Sequence, residues 1–224
     1  MGRHDPAITL RVRSEVERQQ VIEVLRQTYA REKGWIADPE TQIPAADLAH
    51  DSIAWFVTTM GGEPVGVLRI LFDPPIEQYA KYSLKLIDPA FKVDELLQGS
   101  RIAEVGRFAV VARRRGRFTV ATSLMRAAFS EIIARGYTHL VTDVFEDDPH
   151  SPYGFHTRVI GFKPIATHEV GELRSRSRRI TLVLDMKAAY SRLRSHSRWL
   201  FQNLTVGWSE GMHQKAIGIV APAP

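Results

Sequence analysis

A chain of 224 residues, 44% hydrophobic and 25% charged, is long enough to bury a full core and too apolar to be a disordered polymer. It has no cysteine, which excludes disulfide staples, thiolate zinc sites and a cysteine nucleophile. The net charge of +5 is uneven, with six arginines against Glu104 between Arg101 and Arg117 and eight Lys or Arg against Asp185 between Arg174 and Arg198, so the remainder is net acidic.

Ser14 and Glu17 form a capping-box pair ahead of Val21, Ile22, Leu25 and Tyr29, which predicts an amphipathic helix ending near Gly34. A loop rich in Pro, Asp and Ala follows. Residues 53–59 and 64–72, joined by a turn at 60–63 that holds Gly61 and Gly62, read as a β-hairpin. Residues 73–100, with Pro74, Pro75 and Pro89, read as an insertion carrying a short helix at VDELLQ. A strand over 101–112 comes next. Val120, Leu124, Ala127, Ala128 and Ile132 then mark one face of a helix that closes at Gly136. Strands at 138–145 and 178–186 flank a short helix ending near Gly161, and a last amphipathic helix is predicted over 187–203, before a loose tail. No internal repeat or linker interrupts the chain, so the expectation is a single mixed α/β (α+β) domain spanning 1–224, with a C-terminal helix and tail from about 187. No apolar run spans a bilayer and the N-terminus has no apolar signal stretch, so a cytoplasmic protein without an integral membrane segment is expected.

The arginine run Arg113, Arg114, Arg115, Gly116, Arg117 lies between a strand and a helix N-terminus. There, unpaired backbone N–H groups and the helix dipole favour phosphate, although a solvated basic loop is the alternative. Glu104, inside an apolar strand, needs a partner or a task. It either pairs with a strand neighbour such as Arg69 or accepts a proton from an amine nucleophile, directly or through water. By strict alternation Glu104 and Arg107 point to opposite faces unless a bulge intervenes. Arg31 and Trp35 close the first helix, with Asp47 and Asp51 beyond them; they read either as pocket lining or as packing. His150 and His156 have no third ligand at metal-binding spacing, so they are expected to be satisfied or exposed, and no metal is expected. The two basic stretches suit a phosphate, an acidic protein or a nucleic acid, but no nucleic-acid-binding signature accompanies them.

These pieces resemble a known family. YAREKGW from Tyr29 to Trp35, the acidic segment from Asp47 to Asp51, VGVLRIL with Arg69 and EVGRFAV with Glu104, Arg107 and Phe108 look like the ordered motifs of acyl-homoserine lactone (autoinducer) synthases. The segment DDPHSPYGFHTRVIGFKPI is closer in character to the N-acyl amino acid synthases, related bacterial-type proteins of the GNAT acyltransferase superfamily. The resemblance implies a GNAT fold, a mixed central sheet flanked by helices. It also implies transfer of a long acyl chain from acyl carrier protein, or coenzyme A, to the α-amine of an amino acid, with no tightly bound cofactor.

By the same resemblance, Glu104 is the acidic residue that assists deprotonation of the amine and Arg107 supports it. Arg31, Trp35, Asp47 and Arg69 shape the substrate pocket. Phe108, Val110, Arg113, Arg115, Gly116 and Arg117 bind the acyl-phosphopantetheine donor. The family's phosphate loop, Arg/Gln-x-x-Gly-x-Gly/Ala, here ends in Phe118, whose ring hinders close approach to a diphosphate and favours the single phosphate of carrier protein. The superfamily's general-acid tyrosine falls on Thr157, which cannot serve, and Tyr153 is the candidate substitute. Two other readings are an autoinducer synthase using S-adenosylmethionine and a non-enzymatic binding module for an anionic partner.

Overall fold

The computed structural model describes residues 5–74, 81–116 and 118–218; Pro75, Arg117 and the tail 219–224 lie outside them. The elements in chain order are β1 (Ile8–Arg11), α1 (Glu15–Leu25, continued by a π-helical stretch Arg26–Glu32), β2 (Ile53–Met60), β3 (Glu63–Phe72), β4 (Lys85–Leu86), α2 (Val93–Gly99), β5 (Ile102–Val110), α3 (Phe118–Ala134), β6 (His139–Phe145), α4 (Tyr153–Phe155, continued by a π-helical stretch His156–Ile160), β7 (Lys163–His168), β8 (Arg179–Asp185), α5 (Met186–His196), α6 (Arg198–Thr205) and α7 (Glu210–Gly218). Among the described residues the strands form one mixed sheet in the order β1-β2-β3-β5-β6-β8-β7-β4. The chain divides into two compact units, 1–71 with 105–129 and 72–104 with 130–224.

In the first unit, Ser14 caps α1 as its sequence predicts: its hydroxyl accepts from Glu17 N at 3.3 Å while the Glu17 carboxylate accepts from Ser14 N at 2.9 Å. The helix buries Val21, Ile22, Val24 and Leu25. Gly61 and Gly62, at φ of 58° and 80°, supply the two left-handed positions of a tight hairpin turn, which sets β2 antiparallel to β3. Gly66 on β3 is needed for contact rather than for φ: a Cβ there would lie 2.7 Å from Val120 Cγ1 and 3.0 Å from Leu124 Cδ1, so only glycine lets α3 settle on the strand. The four-residue strand β1 was not expected. It is an edge strand whose Ile8 and Leu10 stay exposed, so it shows no inward apolar alternation.

In the second unit, β6 runs parallel to the start of β5 and antiparallel to β8 along its full length, from His139↔Asp185 to Phe145↔Arg179. β7 was also unexpected, because Pro164 and a register shift between Pro164 and Ala166 disguise it as a loop. The last predicted helix proves to be broken at Ser197, where φ −143° and ψ 66° end α5 and start α6; α7 then adds a third piece. Trp208 packs inward, donating its indole N–H to Ser130 Oγ at 2.8 Å, whereas Trp199 remains 58% exposed.

Candidate active site

The central feature lies on β5. Val111 N donates to Val65 O at one end and Asp73 N donates to Ile102 O at the other. From 102 to 111 is nine steps and from 65 to 73 eight, so β5 holds one residue more than β3 over the same span. Arg107 marks it, a non-glycine residue at φ 52°. The extra residue interrupts the strict alternation of the strand.

Arg107 is only 8% exposed, and its Nε donates to Gln42 Oε1 at 3.0 Å. Gln42 comes from a 3₁₀ turn, Glu40–Gln42, in the proline-rich loop after α1. A second turn of that loop, Ala45–Ala49, brings Asp47, whose Oδ2 accepts from the Trp55 indole N–H at 3.1 Å. Trp55 is the register partner of Arg69, which is almost fully buried on β3. Within this unit the loop therefore ties two predicted site residues to the sheet: Gln42 holds Arg107, and Asp47 holds Trp55 beside Arg69. Trp35 packs tilted on Tyr29 at 5.3 Å under the ammonium of Lys33, and Arg31 is exposed on the π-helical turn before it. Glu104 is half-buried and pairs in register with Val141; Phe108 and Val110 are half-buried on the side of β5 opposite Arg107 and Ala109.

The arginine run turns out to be divided in role. Arg115 makes a two-pronged pair with Glu32 at 2.5 and 2.7 Å and donates its Nε to Val110 O. Arg113 reaches Glu63 at 3.0 Å and Gln27 at 3.2 Å. Arg114 differs: its Nε is buried with no hydrogen-bond partner. A buried unpaired guanidinium N–H is costly unless a ligand answers it, and Arg114 is the one of the three described arginines of the run with such a donor. Gly116 adopts φ 79°, and nothing lies within 4 Å of where a Cβ would be, so the loop's backbone is open at that point. Phe118 opens α3 with its ring exposed.

Tyr153 is exposed in α4, and its carbonyl accepts from the Thr157 hydroxyl at 2.8 Å, which occupies that hydroxyl within its own helix turn. His156 corrects the expectation of a satisfied or exposed histidine. It is 7% exposed, its Nδ1 has no partner, Phe162 lies 4.9 Å away, and burial pushes its pKa down to about 4. Asp143 and His168 approach at 3.1 Å, a pair suggestive of a catalytic dyad. But the other ring nitrogen of His168 is taken by Val170 O at 2.6 Å, so no nitrogen remains to serve a nucleophile. Among the described residues no three His, Asp or Glu converge as metal ligands, and no helix is long and apolar enough to cross a membrane.

The model of the family N-acyl amino acid synthase FeeM matches residues 20–176. Among solved structures, FeeM from uncultured soil microbes superposes with a TM-score of 0.64 at 20% identity, covering 84% of this chain and 95% of its own. A protein described as a GNAT-family acetyltransferase from Desulfovibrio desulfuricans gives a TM-score of 0.54 at 12% identity, over 80% and 98% of the two chains. Aminoglycoside acetyltransferase AAC(6')-Ib, solved with coenzyme A, gives 0.54 at 16% identity, over 84% and 99%. No curated protein sequence matches significantly. The chain belongs to the FeeM family of N-acyl amino acid synthases and is an acyltransferase built on the GNAT fold.

Proposed function

We propose that the whole chain acts as one acyltransferase domain that moves a long-chain acyl group from acyl carrier protein, or from acyl-coenzyme A, to the α-amine of an amino acid. The observation that carries this reading is the bulge at Arg107. It carries Arg107, whose guanidinium is held by Gln42, three residues along the strand from a half-buried carboxylate, Glu104. The amine attacks the thioester carbonyl, its nitrogen–carbon bond forms as the carbon–sulfur bond breaks, and the departing pantetheine sulfur takes up a proton. Glu104 removes the proton that the amine must lose, directly or through water. Backbone N–H groups of β5 near Phe108 and Val110 polarise the carbonyl as charge develops on its oxygen.

The donor's phosphate is met by the loop 113–118, and Arg114 rather than Arg113 or Arg115 is its principal side-chain donor, because the latter two are already engaged by carboxylates. Arg117 is assigned to the same loop by its place in the run. Arg31, Trp35, Asp47 and Arg69 are assigned to the acceptor pocket. Tyr153 is the candidate proton donor to the leaving sulfur, since Thr157 already donates to its own helix. Phe118 and the basic run favour carrier protein as the donor.

The test is product analysis. Purified protein is given palmitoyl-loaded carrier protein or palmitoyl-coenzyme A, a mixture of the twenty amino acids and S-adenosylmethionine, and the products are read by mass spectrometry. An N-acyl amino acid is expected. A homoserine lactone would place the protein with the autoinducer synthases, and no acylated product with either donor would refute the reading.

A further inference from the structure

From Met186 to Trp208 the chain contains no aspartate or glutamate, yet it carries Lys187, Arg192, Arg194 and Arg198. All four are exposed, and none makes an ion pair among the described residues. α5 turns Met186, Ala189, Tyr190 and Leu193 inward, so Lys187, Arg194 and, past the break at Ser197, Arg198 are left on the water side. α6 buries Leu200 and Leu204 but holds Trp199 out at 58% exposure, and Val206, just past its end, is 57% exposed. Trp199 lies in the first turn of α6 and Val206 immediately after its last. A large aromatic more than half exposed beside cations that make no ion pair among the described residues is the composition of a helix that lies in a membrane interface: the indole enters the headgroup layer while the guanidinium groups meet anionic lipid.

We propose that the surface formed by α5 and α6 docks the enzyme reversibly on an anionic lipid bilayer, with Trp199 as the inserted anchor and Arg194 and Arg198 as the charge contacts. Two protruding side chains among cations are point anchors. A specific protein partner would instead need a continuous patch that buries on the order of 1,000 Å², which favours lipid. The proposal is independent of which amine or acyl donor the active site uses.

The test is co-sedimentation of the full chain with vesicles of phosphatidylcholine alone and with roughly a third phosphatidylglycerol, at low salt and at about 0.5 M salt. Binding is expected only to the anionic vesicles and is expected to weaken with salt. Arg194→Gln and Arg198→Gln should each lower partitioning about fivefold, and Trp199→Ser about tenfold, while thermal unfolding, read by circular dichroism, stays unchanged because all three positions are exposed. Equal binding to both vesicle types, or to neither, overturns the proposal. So do variants that bind vesicles normally but lose binding to acyl carrier protein or lose self-association, since the surface then belongs to a protein.

Discussion

Arg107 is held by Gln42 at 3.0 Å while its own backbone sits at φ 52°, a conformation that a side chain adopts only when its surroundings demand it. The pairing joins the one strained residue of β5 to a loop that nothing in the strand's sequence specifies. A non-glycine residue in the left-handed region costs on the order of 1 kcal/mol, so Arg107→Gly relieves strain even as it removes the guanidinium. It should unfold within a few degrees of the parent while losing nearly all acyl transfer. Gln42→Leu should leave the melting temperature nearly unchanged and lower kcat/KM by about ten- to a hundredfold, the worth of one charge-assisted hydrogen bond. If both variants keep parental turnover, Arg107 has no part in the reaction.

The division of labour in the arginine run predicts an asymmetry. Arg114→Gln should raise KM for the acyl donor by about tenfold or more, with the acceptor KM unchanged. Arg113→Gln should change it little, because that guanidinium is already held by Glu63 and Gln27. Steady-state kinetics with both substrates varied would separate these effects.

His156 gives the protein a defined acid sensitivity. Its folded pKa of about 4 lies below the ordinary imidazole value of 6.5 because burial disfavours the charged ring, so the folded state binds fewer protons than the unfolded state. The stability that this provides is complete above pH 6.5 and is lost as pH falls through 4, a swing of roughly 3 kcal/mol. His156→Leu should flatten that part of the denaturation profile. A variant with the parental acid slope would show that other groups set it.

Tyr137 provides the opposite limb. Its hydroxyl donates to Asp73 at 2.5 Å, and burial, reinforced by that carboxylate, pushes its pKa up to about 12. The folded pKa is raised, so the contribution is intact below pH 10.0 and declines as pH climbs toward 12. Tyr137→Phe should cost about 1–2 kcal/mol near neutrality and remove this alkaline component in a pH series of urea melts.

Much of the fold was legible because local chemistry and tertiary demand agree. The Ser14 and Glu17 box, the Gly61 and Gly62 turn and the apolar face of α3 each specify their element within a few residues. β1 and β7 escaped because an exposed edge strand and a proline-bearing strand lack inward alternation. Of the proposed site, Glu104 and Arg107 stood out because a carboxylate and an arginine are unusual in an apolar strand. Gln42 left no signal, being a polar residue in a polar loop whose partner lies 65 positions away. Arg114 could not be singled out from its neighbours until their carboxylate partners Glu63 and Glu32 were in place. The bulge could not be located in the sequence, since one inserted residue leaves the composition of a strand unchanged.

The most direct measurement is the single-turnover rate of N-acyl amino acid formation by Glu104→Gln beside the parent, with donor and acceptor both saturating. If Glu104 takes the amine's proton, the variant should form the same product about 10²–10⁴-fold more slowly near neutral pH and recover part of the loss at alkaline pH, where solvent deprotonates the amine. A variant that turns over at the parental rate across the pH range would contradict the account.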